Sequence, residues 1–250
     1  AAEAEEQRRA AEEARRAVDG LMAESAEKLQ AQTEKELLEA RLLAEEEEAK
    51  RQAEAALLAE EEALLRAEQE GELRLAEVGP DAACAEALAA MLAAPVGAYR
   101  AAVEALHTTF GSIAAEPQDM RPRVIRAANE TFQNTLGRRP GVRLFLRGVG
   151  FESRARESLP DGLAASLGLS VGPPTERFYY LPEPSMMEAY DEWTLWLQRI
   201  QRIAEFLRGM ERLTFQRTAH LGQHGLDLPT RSVLSSAEVV QRWDAVVRGT

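Results

Sequence analysis

The residues of this 250-residue chain whose types could do chemistry are three histidines, one cysteine and a run of arginines. His220 and His224 are four apart, the spacing that places two imidazoles on one helix face for a metal. Gly222 and Gly225 interrupt a helix there, and no carboxylate or cysteine stands at ligand spacing. Two donors do not close a site, so the pair is read as a surface loop, and His107 stands alone. Cys84 lies in an Ala-rich stretch with no basic neighbour to lower its thiol pKa, which makes it a buried small hydrophobe. No glycine-rich phosphate loop occurs, and Gly148-Val149-Gly150 reads as a helix stop. Neither an enzyme, a cofactor nor a bound metal is expected.

The arginines are more specific. Arg121, Arg123, Arg126, Arg138, Arg139, Arg143 and Arg147 face a single acid, Glu130, within 27 residues. A guanidinium presents a planar fork suited to carboxylates and phosphates. An anionic peptide or chain end is a fitting ligand; a solvated surface, or pairing with acids of the same chain, is the alternative. Nucleic acid fits poorly, because the aromatics fall in core stripes rather than between the arginines and the whole chain carries a formal charge of −12.

That charge lies in the first third. Residues 1–78 hold 23 acids and 11 bases, without one aromatic or proline; the remainder holds 19 of each sign. Such a segment cannot bury a globular core and reads as a long helix. Its firmest part, Leu21 to Glu70, would be about 75 Å long at ~1.5 Å per residue. Leu21, Leu43 and Leu65 recur every 22 residues, about 3.67 per turn and close to a straight-helix repeat. This leucine stripe is expected to lie along a partner helix or filament; a lone charged helix is the other reading. Pairs such as Glu46/Lys50, Glu47/Arg51, Glu62/Arg66 and Glu70/Arg74 support the helix at i,i+4.

Gly79-Pro80-Asp81 stops that helix. Helices are then predicted over Ala83–Ala94, over 95–115 with Tyr99, Val103, Leu106 and Phe110 as its stripe, and over Arg121–Ala127. Two more follow: Glu130–Leu136 capped by Asn129, and Pro140–Arg147. Ser153–Pro174 reads as loop, and Arg177–Leu181 as a strand. Ser185 is expected to cap a helix to Arg208 whose stripe is Met187, Tyr190, Trp193, Leu197, Ile200, Ala204 and Leu207. Leu221–Pro229 reads as loop and Ser236–Val247 as a last short helix.

The stretch Arg121-Pro-Arg-Val-Ile-Arg-Ala-Ala-Asn-Glu-Thr-Phe132 resembles the central motif of the PUB domain of peptide N-glycanase and some UBX proteins, roughly Lys-Tyr-Arg-x-Ile-Arg-x-x-Asn-x-x-Phe. Pro140-Gly141-Val142, then Leu146 to Glu152 (Leu-Arg-Gly-Val-Gly-Phe-Glu), then the strand Phe178 to Leu181 before Pro182, follow in the family's order. The similarity covers about Ala83 to Leu207. It implies a helical domain with a small sheet that docks peptides, notably the carboxyl-terminal tail of the valosin-containing AAA ATPase. By position, Asn129 would bond the peptide, Arg121, Arg123 and Arg126 would form a positive rim, and Phe132 would support the pocket. Pro122 replaces the family's tyrosine, and the loop 153–176 is longer than the family's hairpin connection.

The expectation is therefore a mainly α chain: a long acidic helical arm (1–78), a PUB-like domain with a small β-sheet (79–208) and a C-terminal extension with a short helix (209–250). Its expected work is non-catalytic adaptor binding through the PUB-like domain. The alternative is a structural subunit of a filamentous assembly such as a ciliary axoneme. One cysteine and no run of 18 apolar residues fit the cytoplasm, or cilium and cytoskeleton, without a membrane span. The amino terminus lacks the apolar region of a secretory signal.

Overall fold

A computed structural model of the chain describes residues 2–169, 171–223 and 233–249, with some side chains before Leu65 left out. The chain divides into two units, Ala1–Leu65 and Arg66–Thr250. Helix α1 runs from Ala2 to Val78. Gly20 and Gly71, each costing roughly 1 kcal/mol relative to Ala, do not end it. Ion pairs at i,i+4 line its first unit, among them Lys35–Glu39, Arg41–Glu45 and Lys50–Glu46.

The second unit is built on α2 (Pro80–Met91), α3 (Val96–Ala115), α5 (Val142–Val149), α7 (Tyr190–Gln223) and α8 (Ser236–Arg248). α3 lies against α7, and α2 against both α5 and α8. The predicted stripe Tyr99, Val103, Leu106 and Phe110 is buried. Phe110 meets Phe145 and Phe151 edge-on, and Phe145 and Phe206 meet Trp243 in the same way. α2 and α5 approach so closely that a Cβ on Gly148 would stand 2.5 Å from Cys84 Sγ, and one on Gly141 would stand 2.1 Å from the Ala87 carbonyl. Gly141 also has φ +79, which glycine alone adopts freely.

A three-stranded antiparallel sheet completes the fold, in the order β1 (Val124–Arg126), β3 (Arg177–Tyr180), β2 (Glu152–Ala155). Ile125 and Ser153 both register with Tyr179. Alternation splits β3: Tyr179 faces the main core, while Phe178 and Tyr180 pack with Leu159 and Leu163 in a small second cluster.

The mainly α class with a small sheet is as the sequence indicates; several elements differ. The helix expected over Arg121–Ala127 is a tight turn, Arg121–Arg123, followed by β1, because Val124 and Ile125 are β-branched and pair with β3. The expected loop Ser153–Pro174 holds all of β2 but its first residue, Glu152, and the short helix α6 (Leu163–Ser166). Ser185 Oγ does accept the Glu188 N–H at 3.3 Å, but it closes a turn, and α7 begins only at Tyr190. Met187 and Tyr190 are exposed and Trp193 is half-buried, so the covered stripe starts at Ile200 and continues through Ile203, Phe206 and Leu207. α7 passes Gly209 and continues to Gln223, with Met210 and Thr214 buried beyond the glycine. Packing there outweighs the local cost of glycine.

The boundary read at residue 78 marks the end of α1; the compact unit reaches back to Arg66. Residues after 208 also enter the core. Ser235 caps α8 through the Glu238 N–H at 3.2 Å, and Trp243 is 1% exposed with its Nε1 donating to the Asp81 carbonyl at 3.0 Å. No described helix is long and apolar enough to cross a membrane.

Removing a fully enclosed indole costs about 3–5 kcal/mol. Trp243→Ala is therefore expected to lower the urea midpoint far more than Trp193→Ala does at the half-buried position. Equal losses at the two tryptophans would place α8 outside the core.

Candidate functional site

The arginines divide by what they meet. Arg121 is exposed and turned back on Asp119 at 3.0 Å, which holds that carboxyl below its ordinary value. Arg123 is 1% exposed; its Nη1 lies 2.6 Å from Glu183 Oε2, and its guanidinium sits 5.9 Å from the Trp196 ring. Glu183 spends its other oxygen on Trp193 Nε1, at 2.7 Å. An exposed rim role is therefore closed to Arg123: it belongs to a buried ion pair. Arg126 and Arg156 both bond Glu176. Burial works to raise the Glu176 pKa, but the two guanidiniums outweigh it and hold the carboxyl below its ordinary 4.5.

Asn129 is exposed and caps α4 (Glu130–Phe132), its Oδ1 accepting the Phe132 N–H at 3.1 Å. That accounts for an asparagine at this position by local structure alone. Phe132 is buried, with its ring 5.7 Å from that of Tyr179. The expected peptide residues thus separate into a surface set (Asn129, Arg121, Arg126) and two side chains beneath it (Arg123, Phe132).

A second constellation joins the last turns of α1 to α5 and the sheet. The Glu68 side chain is 10% exposed. Tyr179 Oη donates to its Oε1 at 3.0 Å, while Ser153 Oγ and Arg177 Nη2 donate to its Oε2 at 3.0 and 3.3 Å. Arg143 Nη1 stands 3.9 Å away. One turn on, Glu72 receives Arg147 Nη2 at 2.9 Å. Two carboxylates at i,i+4 on α1 thus meet two guanidiniums at i,i+4 on α5. Arg147 Nη1 is fixed in turn on the Phe151 carbonyl at 2.8 Å, and Arg143 Nε on the Gly137 carbonyl at 2.8 Å. Burial, and then the Glu68 charge, push the Tyr179 phenol pKa up, so it remains a proton donor to Glu68.

Reading the sequence for positive charge missed Glu68 and Glu72, although a local signal exists. Along α1 they are the one acid–acid pair at i,i+4. Such a pair weakens an isolated helix by about 0.2–0.5 kcal/mol, so its presence asks for cations outside the helix. Arg74, expected to pair with Glu70, bonds Glu77 and Glu86 instead.

Along α1 the side chains of Leu43 and Leu65 are exposed, and that of Leu21 lies outside the described residues. Cys84 is fully buried, and burial pushes its thiol up to about 12. His107 Nδ1 lies 2.9 Å from Glu211 Oε2. His220 is exposed on α7, while His224 lies outside the described residues. Among the described residues no three of His, Cys, Asp and Glu gather as metal ligands would. Two shallow concave surfaces among the described residues lie between α2 and α8 and between α3 and α7, and none of the seven clustered arginines lines either. No protein-family model matches the chain, and no curated protein matches it significantly.

The Glu176 pair gives a pH dependence of definite sign. The unfolded chain takes up this proton near the ordinary 4.5, the folded chain only at lower pH. The stabilisation is fully present above 4.5 and is lost as pH falls through the folded value. Glu176→Gln should therefore flatten the stability–pH profile below 4.5, as followed by urea melts; an unchanged slope would show that the pair contributes nothing.

Proposed function

We propose that the chain is a non-catalytic assembly protein, in which the leucine-bearing helix binds along a partner and the compact unit serves as a packing and docking module. One observation carries this reading. Within Ala1–Leu65 the side chains of Leu37, Leu38, Leu42, Leu43 and Leu58 are each more than half exposed, on a helix whose described ion pairs there run from residue i to i+4. Helices in proteins take most of their stability from packing an apolar face, and isolated ones are marginal. A row of exposed leucines between charged residues is what a helix keeps when its partner is another molecule. A filamentous assembly such as a ciliary axoneme would supply a long surface of that kind.

The second reading is the peptide-docking adaptor that the PUB resemblance suggests, with the tail of the valosin-containing AAA ATPase as ligand. Exposed Asn129 and Arg121 favour it. The internal engagement of Arg123 by Glu183 and of Arg126 by Glu176 counts against it, because those cations would have to exchange partners to receive a peptide. Neither reading needs catalysis, and the order of preference rests on this difference.

Leu43→Glu with Leu65→Glu is expected to abolish partner capture while leaving the melt of the compact unit unchanged. Retained assembly would remove the leucine face from the account. Titrating the chain with the carboxyl-terminal peptide of valosin-containing protein separates the two readings. Micromolar binding that Asn129→Ala weakens about tenfold, ~1.4 kcal/mol, would put the adaptor first. No binding is expected if the packing role is right.

A further inference from the structure

The last turns of α1 are held in an unusual way. Each of residues 66–78 is exposed or half-buried, so no enclosed apolar side chain anchors the segment. What holds it is polar: Glu68 in its cradle, Glu72 on Arg147, and Arg74 on Glu86. The segment ends at Gly79, where φ is +81 and a side chain would meet nothing within 4 Å, immediately before Pro80. A polar attachment beside an open glycine joint can be released without withdrawing any of residues 66–78 from the apolar core, which contains none of them.

The receiving face is built independently of its occupant. Arg143 and Arg147 are tied to backbone carbonyls on their own side, and Arg177 Nη2 donates to Ser153 Oγ at 2.9 Å. If Glu68 left, the Tyr179 hydroxyl and Arg177 would lose a carboxylate that they are already placed to receive. The face therefore selects a helix carrying two carboxylates four residues apart, and within α1 the Glu68/Glu72 pair alone meets that requirement.

We propose that the cradle of Tyr179, Ser153, Arg177, Arg143 and Arg147 is an exchangeable docking site for residues 66–78, which a second copy of this chain can fill in place of the chain's own segment. The occupant is specified by the molecule itself, since the second copy carries the identical segment and the identical joint. Exchange of an element between identical chains creates no new contact type and needs only a joint that opens. The inference does not rest on the function proposed above.

Charge exchange between two variants tests this. One chain carries Glu72→Arg and the other Arg147→Glu, both at partly exposed positions. In either chain alone positions 72 and 147 oppose like charges in cis and in trans alike, while Glu68 keeps its own partners. When the two are combined, each segment finds its complement only on the other chain. The variants are mixed in urea, refolded together, and compared by light scattering with each refolded alone at the same total concentration. A mass double that of either variant alone is expected, with equal amounts of the two chains. The two substitutions in one chain restore the pairing in cis and should return the mass of a variant refolded alone.

An unchanged mass on mixing would overturn the exchange. A second pair, Glu68→Ala with Glu72→Ala against Arg143→Ala with Arg147→Ala, guards against loss of folding. If either chain melts early alone, recovery of its melting temperature on mixing supports the exchange. No recovery counts against it. Association through the leucine face would raise the mass of each variant alone as much as that of the mixture, so its presence or absence leaves the comparison intact.

Discussion

The contact on which most of the compact unit depends is the approach of α5 to α2. A methyl group at Gly148 would strike Cys84 Sγ and come within 2.9 Å of the Pro80 carbonyl; one at Gly141 would strike the Ala87 carbonyl. Only glycine lets the two helices meet at that distance, and a small buried thiol faces one of them. The approach fixes the other side of α5 as well. With Val142, Phe145, Leu146 and Val149 buried, Arg143 and Arg147 fall one turn apart toward the sheet and the end of α1. The position of the cations is thus a consequence of apolar packing, and the acidic pair on α1 is matched to it.

Electrostatics in this protein is largely internal. Arg123, Arg126, Arg143 and Arg147 each meet an acid of their own chain, so four of the seven clustered arginines are engaged internally. Burial of the Arg123–Glu183 pair does not by itself add stability, because desolvating two charges costs about what their attraction returns. Removing one partner would be expensive, which makes the pair a device for fixing the turn before β1 against the start of α7. Of the expected peptide residues, the unit presents Arg121, Arg126 and Asn129 at its surface. Among the described residues, the first helix exposes Leu37, Leu38, Leu42, Leu43 and Leu58.

The sequence made the local parts of this fold legible. Tyr99, Val103, Leu106 and Phe110 repeat with the helix period and are buried, and Arg177 to Leu181 reads as a strand where β3 runs from Arg177 to Tyr180. β1 and β2 were hidden because three and four residues carry no alternation of their own and exist by pairing with β3. Periodicity also could not say where along α7 the core begins: Met187, Tyr190 and Ile200 share one spacing, yet only Ile200 is enclosed. The arginine cluster was visible, but its partners were not. Glu176, Glu183 and Glu72 return from 50, 60 and 75 residues away, distances over which composition says nothing. The acid pair Glu68 and Glu72 was the one long-range feature with a local mark.

Glu68 ties these threads together, since its carboxylate joins α1 to the sheet through Tyr179 and Ser153. A double-mutant cycle measures that connection directly. Urea unfolding of the full chain with Glu68→Gln, with Tyr179→Phe and with both gives the coupling between the two side chains. Contacting groups in one hydrogen-bond network couple by about 0.5–3 kcal/mol, and independent sites add to within roughly 0.3–0.5 kcal/mol. A coupling near or above 1 kcal/mol is expected for a phenol donating to an enclosed carboxylate. Strict additivity would contradict the claim that the acidic end of α1 is seated in the arginine-lined face of the domain.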